Sequence, residues 1–430
     1  MATTASSSLK GVEMKQAATS RLVLCSTFAG VGHRTRPLPP VLILLTVSLI
    51  LLSSRWAFTQ TVTANTRDQI VKAAEQAKPG TTILIAPGTY QGGLDFNGLR
   101  GEEGKPIILA AADKEAPPVF KGRNSCFHLT DPAFVELHNL VLTEARGNGI
   151  NIDDGGSYDS PAHHVVLHGL TVRDVGPDGN RDGIKLSGLD DFRVEDCTIE
   201  RWGSGGSGID MVGCHDGEVT GCIFRQRSDT AGSGVQAKGG SKDIVIRRCR
   251  FENAGGRAVN IGGSTGLPYF RPKVNGYEAK DITVEDCTFI GSSAPICFVG
   301  VDGAVARYNT IYRPMRYVVR ILQESRGSQF VACRNGVFSN NVIAFRSDET
   351  RGTTNIGAGT APDSFKFSEN HWYCIDRPER SNRLSLPVRE TGGSYGKDPR
   401  FVNPSEGDLH LLDTSPVRDA GVRARAVDSQ

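Results

Sequence analysis

Val194-Glu-Asp-Cys-Thr-Ile199 returns almost unchanged as Val284-Glu-Asp-Cys-Thr-Phe289. Relaxed to apolar-x-x-(Leu/Cys/Asn)-x-apolar, the pattern occurs nine times between residues 134 and 373. Its fourth position reads Leu140, Leu170, Cys197, Cys222, Cys249, Cys287, Asn309, Asn341 and Asn370, with steps of 22 to 38 residues. A period in this range, carried by short strands, predicts a solenoid of stacked coils in which each position lies above its predecessor. The fourth position is then an inward ladder. Its cysteines are interchangeable with Leu and Asn, so they read as an unpaired core column rather than as disulfide partners.

Upstream of each hexapeptide lies a second strand. Its copies read Gly149-Ile-Asn-Ile, Gly183-Ile-Lys-Leu, Gly208-Ile-Asp-Met, Gly234-Val-Gln-Ala, Ala258-Val-Asn-Ile, Pro295-Ile-Cys-Phe and Val318-Val-Arg-Ile. Alternation turns the apolar residues inward and leaves an outer column of Asn151, Lys185, Asp210, Gln236, Asn260, Cys297 and Arg320, extended by His128. Two residues later the same face carries Asp153, Ser187, Val212, Lys238 and Gly262. The insertion Gly262–Lys280 contributes Tyr269, Phe270, Arg271 and Tyr277 immediately after one of these strands.

Before the repeat, Asn65 and Thr66 are set to cap a helix over 66–78 that covers the open first coil, and Pro79-Gly80 ends it. Residues 1–59 read as a signal peptide or N-terminal anchor: a basic stretch precedes the apolar run Val41–Leu52, which at 12 residues is short of the ~20 that span a bilayer. Six Lys/Arg lie there against Glu13 alone, so the formal charge of +2 becomes −3 without them. No basic stripe remains, which excludes a nucleic-acid partner. Residues 60–430 form one repeat domain, with a C-terminal cap at about 398–421 and a frayed last stretch.

The chain resembles the right-handed parallel β-helix, pectate-lyase-like superfamily over about residues 62–421. The carriers are the Val-x-Asp-Cys-Thr-Ile coils, the opening Lys78-Pro-Gly-Thr-Thr-Ile-Leu-Ile-Ala-Pro-Gly-Thr-Tyr90, and the tail from Asp398-Pro-Arg-Phe-Val to Ser415-Pro-Val-Arg-Asp-Ala-Gly421. The opening, with Lys105-Pro-Ile-Ile-Leu109, is similar to alginate-lyase and chondroitinase-B-like members. The resemblance implies an all-β, single-stranded right-handed parallel β-helix with an N-terminal cap helix. It also implies a polysaccharide partner, with lyases, hydrolases, epimerases and non-enzymatic fibres all represented. Lys238 stands where the lyase pattern has its lysine. The next coil reads Ala258-Val-Asn-Ile-Gly-Gly263 in place of Arg-His-Gly, and Val235-Gln236 replace the acidic metal ligands. Paired aspartates of the hydrolase pattern are not reproduced.

The outer face suits a chain of sugar rings. Asn151, Gln236 and Asn260 offer paired donors and acceptors, Lys185, Arg257, Arg271 and Arg320 meet uronate carboxylates, and Tyr269 offers a stacking surface. In β-elimination the carboxylate is neutralised and a base removes the C5 proton. Lys238 is the expected base, with Val212 and Gly262 beside it and no acidic partner, and Arg257 and Arg271 supply positive charge. Calcium could neutralise instead, with Asp153, Asp154, Asp178 and Asp182 as oxygen donors. Lys185 and Asp210, one rung apart, read as a surface ion pair, and His215-Asp216 as a solvated corner. Hydrolysis needs two carboxyls, for which Asp182 and Asp210 are the candidates. The expectation is an exported monomer acting on an acidic polysaccharide, by a lyase reaction ahead of hydrolysis or passive binding, with calcium as an optional cofactor and a membrane contact only through an uncleaved N-terminus.

Overall fold

The repeated hexapeptide is a corner. In a computed structural model, which describes residues 60–157, 159–227, 230–274, 276–418 and 420–422, Val194 ends one strand (Leu189–Glu195) and Thr198 begins the next (Thr198–Glu200). Between them Asp196 takes φ +52° and Cys197 turns inward, 1% exposed. The residue before the ladder position is left-handed in all nine copies: Asn139, Gly169, Asp196, Gly221, Arg248, Asp286, Tyr308, Asn340 and Glu369, with φ between 52° and 66°. Gly, Asn and Asp enter this region at little cost. Arg248, Tyr308 and Glu369 enter it because the stacked coils above and below fix the corner.

The ladder satisfies its own polar atoms. Each thiol donates to the carbonyl two residues before it, at 3.2–3.4 Å for Cys197, Cys222, Cys249 and Cys287. The asparagines link successive coils: Oδ1 of Asn309, Asn341 and Asn370 accepts the backbone N–H of Cys287, Asn309 and Asn341 at 2.9–3.0 Å. Every described cysteine is free and buried, and burial pushes the Cys197, Cys222 and Cys249 thiols well up. Beside this ladder Phe224, Phe251 and Phe289 stack with centroids 4.8 Å apart, the spacing of the coils themselves.

Three parallel sheets result, here called A, B and C. Sheet A has 12 strands, from Gln60–Ala64 to Lys366–Ser368; sheet B has 12, from Thr89–Gln91 to Ser394–Tyr395; sheet C has 10, from Leu94–Asn97 to Thr354–Ile356. From Leu94–Asn97 to His371–Cys374 the chain visits C, then A, then B in each coil. The N-terminal helix spans Arg67–Glu75, and Thr66 Oγ1 accepts from Gln69 N at 3.3 Å. It stops earlier than the run to Lys78 expected from sequence, and Ile70, Ala73 and Ala74 are buried. At the other end Phe401–Asn403 pairs antiparallel with Asp408–Leu411. The expected signal or anchor at 1–59 and the frayed last residues lie outside the described residues. No helix among the described residues is long and apolar enough to cross a membrane.

Candidate active site

Sheet C carries the outer column in register. Asp95, His128, Asn151, Lys185, Asp210, Gln236, Asn260, Cys297, Arg320 and Asn355 are successive rungs. Alternation gives burial patterns such as buried-intermediate-buried-intermediate for Ile184–Ser187. The column is therefore a continuous outward face about one coil spacing, ~4.8 Å, per residue.

Its centre is a cluster of four ionisable groups. Asp210 is 1% exposed. Lys185 donates to its Oδ2, and the Lys238 ammonium lies 3.3 Å from its Oδ1. That second contact is within ion-pair distance but is not aligned as a hydrogen bond, since Oδ1 lacks a hydrogen-bond donor. Two sequence expectations are corrected here. Lys238 does have an acidic partner, reached diagonally across the rung from Val212. The Lys185–Asp210 pair is not a surface pair, because its carboxylate is sealed from water.

Asp182 completes the cluster from the strand start. It is 2% exposed and its Oδ1 accepts from Ser207 N at 2.7 Å. Burial, and then the Asp210 charge, raise its pKa to about 6, against the pull of Lys185 and Lys238. For Lys185 burial alone would lower the pKa, but Asp210 and Asp182 outweigh it and the net shift is upward. Two carboxyls in different environments and two ammonium groups thus meet at one place.

The Asp182 shift has a measurable consequence. A carboxyl raised in the folded state binds protons there that the unfolded chain has released. Folding stability therefore falls as pH rises from about 4 to about 6, and the whole cost is present above that window. Asp182→Asn removes the charge and keeps the oxygen facing Ser207. Its melting temperature relative to wild type is expected to climb between pH 4 and pH 7.5; a difference that is flat with pH contradicts the shift.

Other expected residues hold the walls. Arg271 does not supply free positive charge: it is 7% exposed, Nη2 lies 2.6 Å from Asp190 Oδ2, and Nη1 donates to Gly213 O at 2.8 Å. His215, read as a corner residue, stands in strand His215–Thr220 with Nδ1 3.0 Å from Asp190 Oδ1. Burial would raise Asp190, but the His215 and Arg271 hydrogen bonds bring it down to about 2. Arg257 is likewise committed, at 2.5 Å to Glu324 Oε1. Together Arg271 and the buried Phe270 pin the insertion while Tyr269 stands 69% exposed.

Glu278, not singled out by sequence, is the hidden anchor. It is fully buried and accepts from Gly239 N, Thr265 N, Thr265 Oγ1 and Ser325 Oγ. It ties the turn after Lys238 to the insertion and to the 323–333 loop. An acid preceding a strand and following a glycine-rich loop was the available signal.

Three of the four carboxylates expected to hold calcium are engaged with other partners. Asp153 lies 2.6 Å from His128 Nε2 and accepts from Asn151 at 2.9 Å, Asp154 accepts from Gly156 N, and Asp182 faces Ser207. Among the described residues no group of three His, Cys, Asp or Glu is placed to hold a metal ion. This donor set does not fit a calcium cage, which takes 6–8 oxygens.

Two concavities lie elsewhere. One of about 550 Å³ lies on sheet A between Glu136 and Asp216, and one of about 690 Å³ lies around Arg320, Gln323 and Arg326. The sheet A recess has exposed charged groups at Glu103, His164, Asp191, Arg193 and Asp216. The sheet C cluster is the stronger candidate because its charges are buried against one another, which is how a protein tunes reactive groups.

Residues 148–332 match the family model described as right handed beta helix region. No curated protein sequence matches the chain. Among solved structures it is similar to an alginate lyase from Paenibacillus sp. str. FPU-7, at 18% identity over 71% of this chain and 99% of that one, with a TM-score of 0.46. Pectate lyase Pel9A is similar at 16% identity over 84% and 87%, TM-score 0.48. The A-module of Azotobacter vinelandii mannuronan C-5 epimerase AlgE4 is similar at 14% over 77% and 91%, TM-score 0.49. Three parallel sheets visited in fixed order, a ladder at the corner between sheets A and B, and the matched region make this chain a right-handed parallel β-helix protein.

Proposed function

We propose that this is an exported enzyme that binds an acidic polysaccharide along the outer face of sheet C and cleaves it by β-elimination at the Lys185–Asp210–Lys238 cluster. The observation that carries the reading is the convergence of two half-buried ammonium groups on one sealed carboxylate, amid a column of amides. The lysine side chains are 20% and 17% exposed, so a ligand meets the ammonium groups while Asp210 lies beneath them. Such a face attracts a uronate carboxylate and leaves the sugar hydroxyls to Asn151 and Gln236. Export rests on the apolar run Val41–Leu52 and the basic stretch before it.

In this reading Lys185, kept protonated by Asp210 and Asp182, neutralises the substrate carboxylate. Lys238, the base of the step, first releases its proton to solvent against the pull of Asp210 and then takes the C5 proton. The C4–O bond breaks as the C4–C5 double bond forms, and the departing oxygen takes a proton from water. Tyr269 provides the exposed ring against which a sugar stacks.

One observation favours hydrolysis as a second reading. Asp182 at about 6 is the kind of carboxyl that donates a proton near neutral pH. The test is absorbance at 235 nm with residues 60–430 on a panel of uronic-acid polymers. A rise supports elimination. New reducing ends without a rise favour hydrolysis, and neither product with any polymer overturns the proposal that this is a cleaving enzyme.

A further inference from the structure

The outer column does not stay open along its length. Side-chain exposure is 71% at Asp95, 38% at His128 and 20% at Lys185, and drops to 2% at Asp210 beneath the two lysines; beyond Gln236 the residues Asn260 and Cys297 are 2% and 0% exposed. What covers them is specific. Arg257, at the start of strand Arg257–Gly262, runs along its own strand and donates to Asn260 Oδ1 at 3.3 Å. Glu324, in the loop after strand Val319–Leu322, meets the same guanidinium at 2.5 and 3.3 Å. The pair makes a bar across the outer face of sheet C.

The bar is fastened at both edges. Ser325, 7% exposed, donates to the fully buried Glu278. Beneath it Ala294, Cys297, Val299 and Leu322 form a separate apolar cluster with Tyr317. On the near side Gly263 presses against the last open rung. Gly263 takes φ +152°, a backbone conformation that side-chain-bearing residues rarely adopt, and packs beside the amides of Gln236 and Asn260. The groove that starts open at Asp95 therefore ends at Gln236, one rung beyond Asp210. The recess of about 690 Å³ around Arg320 and Gln323 is lined by Glu324 and Ser325, so the bar forms part of its wall.

We infer that the groove is a blind channel that receives the end of an acidic polysaccharide chain, so that cleavage proceeds from a terminus and releases short products. The inference rests on the reading of sheet C as the cleavage face. Between the cluster at Asp210 and the bar there is room for only one or two sugar rings, since one rung is ~4.8 Å. Bonds in the middle of a polymer cannot reach Lys238 unless the chain leaves the face sideways.

Product analysis tests this on the polymer that gives the strongest 235 nm signal. Mono- and disaccharides are expected to dominate from the first per cent of conversion, with viscosity falling slowly for each bond cleaved. Glu324→Ala, which removes the bar, is expected to raise the viscosity loss per bond several-fold and to lengthen the products. A broad oligomer ladder from the wild type overturns the inference while leaving cleavage on sheet C intact. A readout that needs no turnover covers an inactive preparation or a poorly folding variant. Titrating wild-type protein with oligouronates of increasing length should give one bound protein per chain at every length. A count that grows with chain length means an open groove and sinks the blind channel. No binding to any acidic polymer removes both readings.

Discussion

Lys238→Ala is expected to lower kcat on an acidic polymer by ~10²–10⁴-fold, the usual range for losing a positioned general base. The loss falls on kcat more than on KM, because Lys185 remains to hold the uronate carboxylate and the amides of Asn151 and Gln236 remain to hold the ring. The substitution also leaves Asp210 with one ammonium instead of two, so the comparison needs Lys238→Arg beside it. Arginine keeps the charge against Asp210 but cannot serve as a base at ordinary pH. If Lys238→Arg is as inactive as Lys238→Ala, the amine itself matters; if it restores turnover, Lys238 is a charge and the base is another group. Rates measured from pH 6 to 10 add a second check, since a free-amine requirement makes kcat rise toward alkaline pH.

Glu278→Ala is expected to cost ~3–5 kcal/mol of stability. The side chain accepts four hydrogen bonds in a site closed to water, from two backbone N–H groups and two hydroxyls. Alanine leaves those donors buried and unpaired, at ~1–3 kcal/mol each if none relaxes. The midpoint of urea unfolding should shift accordingly. Turnover should drop as well, because Gly239, which follows Lys238, and Ser325, which fastens the bar, both lose their anchor. A midpoint shift equivalent to less than ~1 kcal/mol contradicts the role assigned to Glu278. Intact activity in a destabilised variant shows that the anchor supports the fold but not the position of Lys238.

Much of this architecture is legible one residue at a time. The period of the hexapeptide fixes the coil, and strict alternation fixes which side chains of sheet C face outward. The full column from His128 to Arg320 emerges from those two rules, and so does the inward Cys/Asn ladder. What escapes is everything that crosses rungs obliquely or returns from a loop. Lys238 and Asp210 are 28 positions apart and two residues out of register, so no rung comparison pairs them. Arg257 meets Glu324 across 67 positions, and Arg271 meets Asp190 across 81. Both arginines look like free charge in the sequence and are committed to partners in the fold. Asp182 reads in the sequence as a calcium donor or a carboxyl for hydrolysis, but the coil after it closes over its carboxyl through Ser207. The left-handed corners divide in the same way: Asn139, Gly169 and Asp196 announce themselves, while Arg248, Tyr308 and Glu369 are set only by the stack.

The most direct test of the account is a structure of the Lys238→Ala variant soaked with an acidic oligosaccharide of four to six rings, a probe chosen because ~4.8 Å per rung lets it fill the open part of sheet C. The account predicts a uronate carboxylate within hydrogen-bond distance of Lys185, rings lying over Asn151 and Gln236, and a chain end against the Arg257–Glu324 bar. Density instead in the recess around Arg320 and Gln323, or on the sheet A face between Glu136 and Asp216, would contradict it.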